Sequence, residues 1–490
     1  MVPLTGCSTL SHTEGWTSAT TRDVRVRTNL PPVYAEVFAE RYQRAHDAVA
    51  ANEFQCAFDR ISEPVDVVLI GGVYGDVFVG TDVSGFYFRP LEPMLDLDPS
   101  IVIKSVDEDR DSYLFLHELT HRLVDECVPS APTWLHEGLA TFYETTRFED
   151  GELRMGYPDA VFSDLEGNVA RLSNGDIVNL LPLSTAPTLG ELRNKDDSDF
   201  YLEDANYHAS WVVVHLMKLD PELDRRFRCY IEALSSGEND EAAWRASFGD
   251  TNIDERYTNH LTESYEFMRS PLSLASNGAA MVAELDPTEV ALTLSTFYDW
   301  SHRSGAKPAR LHIDAARKAS PDSADPLLYL AALHADRRRW RKSRRSLDRA
   351  ATLEPANPDV LAAGLQLYSA QRGEKPIKGA DSRRLHSWAL ELRDSATSAF
   401  HYVALSTWHS LHGDPHDALR LAERAIELDP RSAAAEVAAA DAAMDLGRTD
   451  VGQKHLRAAL GLTEHTDEAS REALQSRLDA LGDAPDEPPW

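Results

Sequence analysis

The residues with the plainest chemical potential are His117-Glu118-Leu119-Thr120-His121. On an α-helix, positions i and i+4 share a face, so both imidazoles can reach one ion. Glu118 stands beside the first histidine and can address a water on that ion. Two neutral imidazoles plus a carboxylate, with one coordination position left open, suit zinc. Zinc brings the pKa of a bound water to about 7, and a carboxylate can then complete its deprotonation. The chemistry expected is metal-assisted hydrolysis, with a single Zn2+ per chain and Glu118 as general base. His412 and His416 repeat the spacing, but Gly413-Asp414-Pro415 lies between them. That pair falls at a predicted helix–helix turn and is expected to be two solvated turn histidines.

The elements that must present these side chains can be read upstream and downstream. Periodicity predicts a helix over about 110–126 and, after Pro129 and Pro132, a second over about 134–145. Thr133 is the expected N-cap of the second helix. Before them, Val24–Thr28, Val67–Ile70, Phe86–Phe88 and Ile101–Ile103 read as strands, and Pro32 to about Asn52 as a helix. Strands followed by helices predict an α+β domain.

Sixteen residues after His121 comes Glu137, in Trp134-Leu135-His136-Glu137-Gly138-Leu139-Ala140. The two segments together resemble the gluzincin zinc metallopeptidases, specifically the peptidase MA-like domains often joined to helical repeats. The resemblance implies a zincin-like fold and peptide-bond hydrolysis. It also implies that Glu137 is the third zinc ligand beside His117 and His121, with His136 the competing ligand. Gly138 and Ala140 are expected to let the second helix approach the first. The chain departs from the family at Arg122, where stricter patterns have an uncharged residue, and in the short spacing to Glu137. A third segment, Phe200–Trp211, leads into the apolar run Val212–Met217. Peptidase MA-like domains tend to carry a tyrosine-containing helix here. Zincins need a donor for the developing oxyanion, and Tyr207 is the candidate, with His208 the alternate. Ordinary helix packing is the competing reading of both.

The second half of the chain repeats itself. Ala316 to Ala350 and Ala425 to Ala459 are each 34 residues, as is Pro321 to Pro355. Leu353-Glu354-Pro355 matches Leu428-Asp429-Pro430. Small residues belong where two helices cross closely, glycine turns the chain between them, and proline ends the second helix. This half resembles a tetratricopeptide (TPR) array of five units, starting near Val290, Ala324, Pro358, Ala399 and Ala433. The third unit carries an insertion around Gly373–Asp381, and residues 467–481 would cap the array. The fold class expected is therefore an α+β zincin-like domain followed by an all-α TPR solenoid that binds protein partners. The boundaries are a leader over 1–15, a peptidase domain over 16–275, a linker over 276–289, the solenoid over 290–482 and a tail over 483–490. Arg337–Arg349 concentrates basic residues within an acidic chain. It reads as a solvated helix face or as a dock for an acidic partner or lipid headgroups.

Composition narrows the function further. With 80 acidic against 49 basic residues the formal charge is −31, which repels phosphate backbones and argues against nucleic-acid binding. Mean hydropathy is −0.38, and no apolar run of about 18 residues is present to span a membrane. Leu4-Thr5-Gly6-Cys7 resembles a bacterial lipobox, without the basic and apolar segments that precede one. It implies a lipid anchor at Cys7 in the cell envelope. The alternative is an ordinary cysteine in a frayed terminus, and a cytoplasmic protein. At most two of Cys56, Cys127 and Cys229 can pair. The alternative to a peptidase is a catalytically silent zincin-like scaffold that works through its TPR surface.

Overall fold

The computed structural model describes residues 13–54, 56, 64–71, 85–88, 94–97, 99–105, 108–128, 131–149, 152–157, 169–171, 177–179, 186–195, 197–261, 266–271, 279–298, 303–372, 379–462 and 468–481. The lipobox at Cys7, the 483–490 tail and most of the insertion in the third repeat lie outside them. The chain divides into two compact units. The first is Thr17–Phe88 with Pro99–Ala283; the second is Glu284–Trp490 together with Arg89–Asp98 and Met1–Trp16.

The first unit is built on a six-stranded sheet of order β11-β1-β2-β3-β5-β4. Its strands are β1 (Thr17–Thr20), β2 (Val24–Thr28), β3 (Val65–Ile70), β4 (Gly85–Phe88), β5 (Ser100–Lys104) and β11 (Met281–Glu284). β2, β3 and β5 run parallel, whereas β1 pairs antiparallel with β2 and β4 with β5. The central strand Val-Asp-Val-Val-Leu-Ile is buried along its whole length, as a near-continuous apolar run in a parallel sheet requires. Helices α1 (Pro32–Asn52), α2 (Glu108–Cys127) and α3 (Thr133–Glu144) follow. The Tyr42 and Phe115 rings stack at 3.8 Å and join α1 to α2. Then come short helices α4 (Leu189–Arg193) and α5 (Asp197–Phe200), followed by α6 (Asp204–Leu219), α7 (Pro221–Ser235), α8 (Asp240–Phe248) and α9 (Ile253–His260). β6 (Arg147–Glu149), β7 (Glu152–Met155) and β10 (Met268–Pro271) form a separate sheet of order β10-β7-β6, and β8 (Val169–Arg171) pairs with β9 (Ile177–Asn179). Cys56 and Cys127 form a disulfide that ties the chain beyond α1 to the end of α2, and Cys229 is free and exposed.

Three expectations need correction. Residues 281–284, assigned to a linker, form β11 at the sheet edge, and the first helix of the second unit already starts at Pro287. All four β11 side chains are exposed, so backbone pairing rather than a buried face makes this strand, and no apolar pattern announces it. Thr133 is the first helical residue of α3, not its cap. Pro132 takes the cap position in extended geometry, and its carbonyl accepts from Leu135 and His136. Gly138 faces α6 rather than α2: a Cβ there would lie 2.7 Å from the Ser210 carbonyl oxygen and 2.8 Å from Val214.

The second unit is a helical array of five successive pairs. They are α10 (Pro287–Thr296) with α11 (Arg303–Ala319), α12 (Asp325–Asp336) with α13 (Trp340–Leu353), and α14 (Pro358–Arg372) with α15 (Ala380–Ser395). The last two are α16 (Ala399–Leu411) with α17 (Pro415–Leu428), and α18 (Ala433–Asp445) with α19 (Thr449–Leu462). A final helix, α20 (Glu468–Leu481), packs on the last pair. Ala316, Ala350, Ala425 and Ala459 are all fully buried, consistent with close helix crossings. Gly413 and Gly447 turn the fourth and fifth pairs in the left-handed region, at φ 76° and 72°. Arg338 occupies the equivalent turn of the second pair at φ 52°. Most of the basic cluster around it is exposed, while Arg344 lies over the Tyr368 ring at 4.3 Å.

Candidate metal centre

α2 packs Phe115, Leu116, Leu119, Leu123 and Val124 into the core, which leaves His117 and His121 on its more open side. Their Nε2 atoms lie 3.1 Å apart. α3 brings Glu137 to both: its Oε2 is 3.6 Å from His117 Nε2 and 3.6 Å from His121 Nε2. Three ligands of a tetrahedral ion at about 2.1 Å stand about 3.4 Å from one another. The observed triangle of 3.1, 3.6 and 3.6 Å has that size. Glu137 is 4% exposed, and its Oε2 is buried without a hydrogen-bond partner. A buried carboxylate oxygen left so is costly unless something cationic meets it.

The surroundings favour positive charge at this point. Burial alone would raise the Glu137 carboxyl, yet His121, His117 and the Tyr201 hydroxyl hold it below its ordinary value. Burial would likewise lower His117, but Glu137 and Glu144 together raise it well above the usual imidazole range. His117 Nδ1–H donates to Glu144 Oε2 at 3.0 Å, which turns Nε2 toward Glu137. His136, the competing ligand, stands outside the group; its ring stacks on His121 at 5.9 Å.

Glu118 is 7% exposed and pushed up to about 7, chiefly by burial. Its Oε2 accepts from the Tyr87 backbone N–H of β4 at 2.7 Å. β4 is a terminal strand of its sheet, and the Cβ that Gly85 lacks would touch Glu118 Cγ at 3.9 Å. Arg122, the departure from the family pattern, pairs with Glu126 at 3.2 Å.

A tyrosine that the sequence did not single out reaches this centre. Tyr201 OH donates to Glu137 Oε1 at 3.1 Å, from the short stretch between α5 and α6. Tyr207, one turn into α6, packs its ring against Phe200 and Tyr201. The alternate, His208, is buried within α6. Tyr201 lies in an irregular segment, where helical periodicity supplies no signal. Glu144 was equally hidden, because its position seven residues beyond Glu137 becomes meaningful only once α3 lies across α2.

Two further clusters of His and Asp have similar ligand spacing among the described residues. One is Asp23, His46 and Asp47, where Arg22 and Gln43 already bond the carboxylates. The other, His409, Asp414 and Asp417, borders the turn between α16 and α17, where Asp414 caps α17. His412 donates through Nδ1 to the Trp408 carbonyl and caps α16.

No protein family profile matches the chain, and no curated protein does. Among solved structures, it is similar to the crystal structure of yeast Tom70 at 14% identity, with a TM-score of 0.31. That match covers 57% of this chain and 60% of the other, so the chain spans less than two thirds of its neighbour's length. The array is accordingly argued from its own five helix pairs.

Proposed function

We propose that the first unit is a zinc-dependent peptidase of gluzincin type and that the helical array is a TPR-like surface for protein partners. The observation that carries the enzymatic reading is the buried, unpartnered Oε2 of Glu137 lying equidistant from two histidine Nε2 atoms. His117, His121 and Glu137 would hold the ion. Zinc, when bound, supplies Lewis acidity to a scissile carbonyl and to an attacking water. Glu118 takes the proton from that water and passes it to the leaving amine. β4, the last strand of its sheet among the described residues, would offer backbone groups to an extended substrate, and Tyr201, whose hydroxyl donates to Glu137 Oε1, would steady that ligand. Glu144 keeps His117 in the required tautomer.

The deciding experiment compares wild type with Glu118→Gln on a broad peptide library, with zinc content measured in parallel. Retained zinc with lost cleavage is expected; unchanged turnover would remove Glu118 from its role. The second reading, a catalytically silent scaffold working through its TPR-like surface, rests on the five helix pairs. It predicts partner capture that is insensitive to chelator and no cleavage by either protein. The Cys56–Cys127 disulfide supports an oxidising compartment and therefore the cell envelope over the cytoplasm.

A further inference from the structure

The second helices of the first two pairs are charged unlike the rest of the array. α11 and α13 carry five bases and one acid each, whereas their partners α10 and α12 carry no Lys or Arg. The bias ends there: α15 has three bases and three acids, and α17 two bases and three acids. Helical geometry sorts the bases to one side. α13 buries Ser343, Ser346, Leu347 and Ala350 and exposes Arg341, Lys342, Arg345 and Arg349. α11 buries Ala309, Ile313 and Ala316 and exposes Lys307, Leu311 and Lys318, at i, i+4 and i+11. Of the five bases on α13, Arg344 alone meets an acid among the described residues, Asp381 at 4.0 Å. The two stripes converge near His334 of α12. That buried ring is pushed down to about 4 by its burial and then by the charges of Arg310, Lys342, Arg339 and Arg337. The turn before α13 is strained as well as basic. Exposed Arg338 sits at φ 52°, where the fourth and fifth pairs place Gly413 and Gly447. A non-glycine residue kept in that conformation points to a use for its side chain.

We infer that this face, the exposed sides of α11 and α13 with the 337–339 turn, docks on an anionic phospholipid surface. The chain's net charge of −31 does not forbid this. Charges are screened beyond about 8 Å at physiological salt, and those on this face are mostly bases. Two features favour lipid over an acidic protein. The exposed bases of α13 extend along about 20 Å of helix without acid partners among the described residues, which suits a field of mobile headgroups better than a few fixed carboxylates. Leu311, 48% exposed on the stripe of Lys307 and Lys318, offers an apolar tip to the boundary between headgroups and acyl chains. The inference is independent of the zinc centre and of any peptide the array binds.

The test uses the full chain carrying Cys7→Ser, so that no lipid anchor contributes, in flotation with vesicles. Phosphatidylcholine vesicles containing phosphatidylglycerol should bind it, and phosphatidylcholine alone should not. Equal binding to both, or binding to neither, overturns the inference. Arg341→Gln, Arg345→Gln and Arg349→Gln together should weaken binding about 100-fold, at about fivefold per cation. Arg420→Gln with Arg424→Gln on α17 should leave it unchanged. A triple variant that binds like wild type overturns the assignment of this face. Circular dichroism checks the fold, and Arg345→Gln alone serves if the triple variant is unfolded. Arg338→Gly should lose about fivefold in binding with no loss of thermal stability; unchanged binding overturns its place in the face. Leu311→Ser should weaken vesicle binding about tenfold while leaving capture of soluble polyglutamate unaltered. Binding to polyglutamate with none to the anionic vesicles overturns the lipid and gives the face to an acidic protein.

Discussion

His117/His121 and His412/His416 share one spacing and meet opposite fates. The first pair rides an unbroken helix, with Nε2 atoms 3.1 Å apart and a carboxylate facing both. The second straddles Gly413 at φ 76°, and His412 spends its Nδ1 on capping α16. Spacing brings two rings together only where a single helix carries both. The same contrast runs through the two units. The first buries Glu118, Glu137, Asp111 and His136 on α2 and α3, whereas the core clusters of the array are mostly alanine and leucine, with His401, Arg431 and Glu436 among its buried polar residues. Buried polar groups are costly when unpaired, and the Glu137 Oε2 beside α2 is buried without a hydrogen-bond partner.

The largest effect should come from the base. Glu118→Gln is expected to lower peptide turnover by about 10²–10⁴-fold while zinc stays bound, read from steady-state cleavage and metal analysis. Next, His121→Ala should abolish zinc binding while His416→Ala leaves the metal content at the wild-type level. Equal loss from both substitutions would erase the distinction between the two pairs. Glu144→Ala removes the carboxylate behind His117 and should weaken zinc by about 10–100-fold in chelator competition. Gly138→Ala pushes a methyl into the Ser210 backbone and should cost about 1–3 kcal/mol in denaturant unfolding. The smallest effect belongs to the array. Arg338→Gly relieves a left-handed, non-glycine turn and should raise stability by about 1 kcal/mol. A loss of stability there would show that Arg338 serves the turn in some way that Gly413 and Gly447 do not.

Much of the frame was legible before the structure. α1 runs from Pro32 to Asn52 as its periodicity predicts, the strands at Val24, Val67, Phe86 and Ile101 are present, and the 34-residue repeat marks the helix pairs. β1 and β11 escaped notice because four-residue strands carry too little alternation to stand out. Gly138 was assigned to the wrong neighbour, since a small residue signals a close approach without naming what approaches.

The amino-acid order alone determined the i, i+4 imidazole pair and the rhythm of the array, because both depend on distances within one helix or one repeat. Tertiary structure decided that Glu137 closes the triangle, that Tyr201 touches it, that Glu144 backs His117, and that Met94–Leu97 lies among the helices of the array. Each of those is a meeting of segments far apart in the chain. Such meetings depend on sheet register and helix packing, which no local spacing encodes.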